Sequence, residues 1–202
     1  MIAADEMQNG LLGAWRLMSG KADGLRFLDL SADGFWNSFF AMIVALPPLF
    51  VSWTSFANEA SPGPELFSER LALMPRLAVV DFCTWIVPLL GLAVAAKRAG
   101  IAGRFVHYVV ASNWASAIIA WMMMPPALLR LVYPDARDAA SLVTFALFLL
   151  SLMFSWRLTN ATLNRGPAVA TAVFAAMFGA SVIVLLGLQS ILGLAALDQV
   201  SG

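Results

Sequence analysis

The 202-residue chain is 61% hydrophobic and only 12% charged, with a mean hydropathy of +0.83. Soluble domains run about 45–50% apolar and about 25% charged, so an ordinary soluble globule is excluded. Twelve basic against twelve acidic residues leave no net charge and no electrostatic footprint for nucleic acid. Cys83 stands alone, which excludes an intramolecular disulfide and a thiolate metal cluster.

The first 33 residues precede any long apolar run. Met7, Leu11, Trp15 and Met18 recur at helical spacing, with Asp5, Gln8, Asn9, Arg16 and Ser19 elsewhere around the wheel. The pattern predicts a short amphipathic helix on the cytoplasmic leaflet. Gly10 and Gly13 weaken it, since each costs about 1 kcal/mol against alanine in a helix interior. No cleaved signal peptide is expected, because Asp5 and Glu6 stand where a positive segment belongs. The stretch Asp29-Leu-Ser-Ala-Asp-Gly34 then supplies cap-type residues at the entry to the first apolar run.

A membrane-crossing helix needs about 20 apolar residues. Reading from charge to charge predicts five, near 34–57, 77–96, 105–129, 139–156 and 167–197. The fourth is short, and the fifth must either tilt as one continuous helix, the preferred reading, or lay its Gly187–Leu197 end at the interface. Residues 198–202 form a tail. The fold class is therefore an all-α polytopic membrane bundle, with two parallel hairpins and a fifth helix closing it.

Orientation follows from Lys and Arg in short loops. The N-terminal segment and the loops 97–104 and 157–166 carry Arg16, Lys21, Arg26, Lys97, Arg98, Arg104, Arg157 and Arg165. The other side carries Arg70, Arg76, Arg130 and Arg137 among several acids. The N-terminus is expected in the cytoplasm of a bacterial inner membrane and the C-terminus in the periplasm. Trp36, Trp53 and Trp156 lie near predicted span ends, where amphipathic rings meet headgroups.

Trp-x-Ser-x8-Pro-Pro occurs twice, from Trp36 to Pro48 and from Trp114 to Pro126. The echo reads as a duplicated hairpin. Each proline removes a backbone donor, so each pair is expected to kink or end its span near the outer interface.

Polar residues at depth are few. Asp81 is the only charged residue inside a predicted span; Arg130, past the second Pro-Pro pair, is a sensible counter-ion for it, and the alternative is a protonatable site or ligand contact. Asn113 and Ser116, with Ser112, form the polar cluster of the third span, read as interhelical hydrogen bonding ahead of a substrate contact. His107 and Tyr108 are expected at the interface. No catalytic set, metal site or cofactor motif is present to be assigned. In the fifth span Ala168, Ala172, Ala176 and Ala180 recur every four residues. Small residues at that spacing allow close helix approach, first of all within the bundle, or else to a second copy or another membrane protein.

Residues 13–39, Gly13-Ala-Trp-Arg-Leu…Leu28-Asp-Leu-Ser-Ala-Asp-Gly-Phe-Trp-Asn-Ser-Phe39, resemble the start of small alphaproteobacterial inner-membrane proteins. The five-span layout resembles the bacterial branch of the Yip1-type membrane proteins. The resemblance implies a membrane protein without enzyme activity and assigns no site residues. The Asp-Leu-Tyr-Gly-Pro signature of the eukaryotic branch, associated with vesicle traffic and small GTPase partners, is absent here. The expected function is a non-catalytic scaffold or accessory subunit of a membrane complex. The alternative is a small transporter or channel subunit, or a binder of a hydrophobic ligand such as a lipid or quinone.

Overall fold

The computed structural model describes residues 4–60 and 67–194, and all of their regular structure is helical. Helix α1 is Ala4–Met18, the short α2 is Ala32–Asn37, and the long helices are α3 (Ala41–Ala60), α4 (Phe67–Ala95), α5 (Phe105–Val132), α6 (Arg137–Leu163) and α7 (Pro167–Ile191). With α2 running into α3 through a 3-10 turn at Ser38–Phe40, five helical segments of 25 to 31 residues are long and apolar enough to cross a membrane. This is the architecture of a multi-pass membrane bundle.

The long helices outrun their charge-free stretches. Helix α4 begins at Phe67 and so carries Glu69, Arg70 and Arg76 within the helix. Helix α6, judged short from its uncharged run, continues through Arg157 to Leu163. Charge delimits apolar surface, while the helix goes on until its backbone is capped. Asn164 takes a left-handed conformation, Gly166 a positive φ, and Pro167 starts α7 at once, so the connection is three residues long. The continuous helix expected over 167–197 does not form. It ends at Ile191, where Gly193 at φ 70° lets the Leu194 amide turn back to the Gln189 carbonyl at 2.9 Å. Arg76 donates to the Leu192 carbonyl at 3.4 Å, adding a cation to that helix end. The tail at 198–202 lies outside the described residues.

The five long helices pack as a ring: α3 on α5, α5 on α6, α6 on α7, α7 on α4, and α4 back on α3. Hydrogen bonds fix the directions. Ser38 meets Asn113 and Val44 meets Trp121, so α3 and α5 run parallel. Trp53 meets Asp81 and Arg130 meets Ser141, so each hairpin is antiparallel. The two parallel hairpins and the closing fifth helix are as expected.

Both Pro-Pro pairs lie inside their helices, and neither terminates its span. Pro48 leaves the carbonyl of Val44 without its usual helical donor. Trp121 of α5 donates its indole N–H to that carbonyl at 2.9 Å, so a neighbouring span repairs the defect. The echoed tryptophans are not equivalent: Trp36 is 71% exposed, whereas Trp114 is buried at 3%.

Helix α1 is a structural member of the bundle, packed against α5 and α6. Its buried face is Gly10, Gly13, Ala14, Leu17 and Met18, while Trp15 is half exposed. The glycines expected to weaken the helix are its contact surface. A Cβ on Gly10 would enter the Trp114 ring, and one on Gly13 would enter Leu28 and the Gly24 carbonyl. The following segment is tied in turn. Arg16 pairs with Asp23 and lies 5.4 Å over the Phe27 ring, and it holds the Asp23 carboxyl below the usual carboxylate range. Asp29 accepts from the Ser31 amide at 2.9 Å, and Ser31 caps α2 by accepting from the Gly34 amide at 3.1 Å. Asn37 reaches back to Glu6 at 2.8 Å.

Candidate functional site

Space remains between the long helices. It is a cavity of about 470 Å³ with lining residues from all five long helices, within the ~300–1,000 Å³ range of small-molecule sites. Asp81 and Trp85 stand one turn apart on α4 and share its inner face. Ser112 and Ser116 face them from α5, Ser151 and Ser155 from α6, and Phe174, Phe178 and Ser181 from α7. The serines Ser112 and Ser151 turn their hydroxyls onto their own helices, donating to Val109 and Phe148 at 3.0 and 2.7 Å. Back-bonding of this kind satisfies a hydroxyl in an apolar setting.

The ion pair expected between Asp81 and Arg130 is not made. The Asp81 carboxylate accepts from the Trp53 indole at 2.6 Å. Arg130 turns to Ser141 and Thr144 of α6 at 3.3 Å each. The reason is the ring order: α4 and α5 flank the cavity, and Arg130 finds its hydroxyls on α6, the helix that α5 packs against. Trp53 is correspondingly buried at 5%. Tyr108, also expected at the interface, is buried and lines the cavity. His107 lies in the first turn of α5, its Nδ1 buried without a hydrogen-bond partner.

Asn113 and Ser116 have different jobs. Asn113 is fully buried and accepts from the Trp85 indole at 3.0 Å while donating to Ser38 at 2.9 Å. Ser38 passes the chain on to the Phe35 carbonyl at 2.7 Å. This buried relay joins α4, α5 and the start of α3, so the interhelical reading of Asn113 is what the structure shows. Ser116, one turn on, opens on the cavity. Sequence reasoning missed Trp53 and Trp85 as the partners. A usable signal existed, since tryptophan in a span brings an N–H that needs an acceptor.

The alanine stripe does not pack within the bundle. Ala168, Ala172 and Ala176 are exposed and Ala180 is partly so, whereas α7 buries Ala170 and Val173. A span that is apolar on every side gives no amphipathic cue to its inward face. Ala176→Leu is therefore expected to leave monomer stability within about 0.5 kcal/mol of wild type. Ala170→Leu, at 1% exposure, should cost about 1–3 kcal/mol by overpacking. Thermal denaturation of both variants in detergent checks this; equal losses would mean the helix is rotated from the orientation described.

Fold and cavity together define a multi-pass helical membrane protein with a central ligand-sized chamber. Comparison of the chain with protein-family profiles, with curated proteins and with solved structures finds no match.

Proposed function

We propose that this protein binds a small hydrophobic ligand, taken from the bilayer, in the chamber at the centre of its helix ring. The cavity itself carries the reading. It is walled by all five long helices, and its surface is mostly hydrocarbon with a few convergent polar groups, the pattern of small-molecule sites. A chain built only as a scaffold has no need to hold its central helices apart, since voids forfeit packing. The test is extraction of the purified protein with organic solvent and mass spectrometry of what was bound. Wild type is expected to carry a lipid-soluble molecule at near one per chain, and Ser116→Phe, which fills the chamber from α5, to carry far less. Equal content in both would reject the site.

A scaffold or accessory role is the second reading, and one observation favours it: the exposed alanine stripe of α7 offers close backbone approach to another span or to a second copy. In either reading the end bearing Lys97, Arg98, Arg104 and Arg165 faces the cytoplasm of a bacterial inner membrane, by its excess of positive charge. An export-dependent reporter fused at Gly100 should be inactive, and activity there would invert the assignment.

A further inference from the structure

The chamber is charged on one side only. Asp81 is partly buried, lines the cavity, and uses one carboxylate oxygen, Oδ2, to accept from Trp53. Its other oxygen has no partner among the described residues. No Lys, Arg or His lines the chamber, and Tyr108 is the other titratable group on its wall. Arg76, the nearest arginine by sequence, bonds the end of α7, and Arg130, the counter-ion expected from the sequence, bonds hydroxyls of α6. An ionisable residue in a membrane interior is retained with a partner or a pathway, and the described residues that line the chamber include no cation.

The aromatic lining suits a cation as well. Phe174 and Phe178 stack at 6.3 Å between centroids, Phe148 approaches Phe178 at 6.4 Å, and Trp85 adds a fourth aromatic side chain. Aromatic faces attract positive charge, most of all where water is excluded. A hard metal ion is a poor fit, because such ions favour several charged oxygen ligands and the chamber offers one carboxylate beside neutral hydroxyls, three of which (Ser112, Ser151 and Thr159) are turned onto their own helices. An organic cation with its charge spread beneath apolar groups satisfies both the carboxylate and the aromatic lining.

We infer that the chamber selects a monovalent lipophilic organic cation, its charge on Asp81 and its hydrocarbon against the aromatic side chains of α6 and α7. The inference rests on the ligand-binding reading above and narrows it to one charge class. It is tested on the full chain in lipid nanodiscs, with empty nanodiscs subtracted. Two probes of similar size are used, tetraphenylphosphonium and neutral triphenylphosphine oxide, each displacing the neutral fluorophore N-phenyl-1-naphthylamine. Wild type should bind tetraphenylphosphonium at least tenfold more tightly than the oxide. In Asp81→Asn that preference should vanish while the fluorophore still binds, which also reports an intact chamber. Fluorophore binding with no preference for the cation in wild type overturns the charge assignment and leaves the chamber standing. No saturable binding of any probe overturns both. Because the wild-type comparison alone is decisive, a poorly folding Asp81→Asn does not shield the inference.

Discussion

Asn113→Leu is expected to be among the most damaging single substitutions in the bundle. It removes the acceptor of the Trp85 indole and the donor to Ser38 together, at a site with no exposure. Interhelical hydrogen bonds in membrane proteins average about 0.6 kcal/mol with a maximum near 1.7. Leaving a buried polar group unpaired costs about 1–3 kcal/mol. The second figure governs here, because Asn113 and Ser38 are both fully buried. The loss should be about 2–3 kcal/mol, read as a lowered thermal midpoint in detergent. Trp85→Phe should cost less, because it deletes the donor along with the need for it. The double variant should fall short of the sum of the two losses, as coupled partners do. Strict additivity would separate Trp85 from Asn113.

Gly10→Leu should detach α1. Even a single carbon at this position meets the Trp114 ring, which is itself only 3% exposed. Overpacking of this kind costs about 1–3 kcal/mol. The cheapest relief is for α1 to lift away, because it is tied to the ring by one face only. Ala14, unexposed in the docked helix, reports the event. In a Cys83→Ser background, Ala14→Cys should resist a maleimide reagent, and adding Gly10→Leu should make it react many times faster. Leu12→Gln, on the 40% exposed side of the same helix, should leave protection unchanged. Protection that survives Gly10→Leu would place the α1 contact elsewhere.

The five spans, their approximate limits and the two-hairpin order are legible in the residues. Long apolar runs have one stable fate in hydrocarbon, since every backbone group must be paired within its own segment. The cap at Ser31 was equally legible, because a hydroxyl at a helix entry has a local partner three residues on. Asp81, Asn113 and Ser116 were legible as polar residues at depth. Their partners were not, because each is met by a side chain or a space contributed by another helix. Two of these partners, Trp53 and Trp85, each stand 28 residues before the group they bond.

Composition and periodicity thus determined that this is an all-helical membrane bundle, and charge distribution marked which loops share an end. The tertiary structure alone decided that the helices form a ring around a chamber. It also decided that Asp81 answers to Trp53 and not Arg130, and that the alanine stripe of α7 points outward. The physical reason is common to all three. In a soluble helix the boundary between water and core is written into the sequence as an apolar stripe. In a span that is apolar all round, lipid and protein are equally good surroundings for most side chains. Which face turns inward is then set by close packing and by a few hydrogen bonds between helices far apart in the chain.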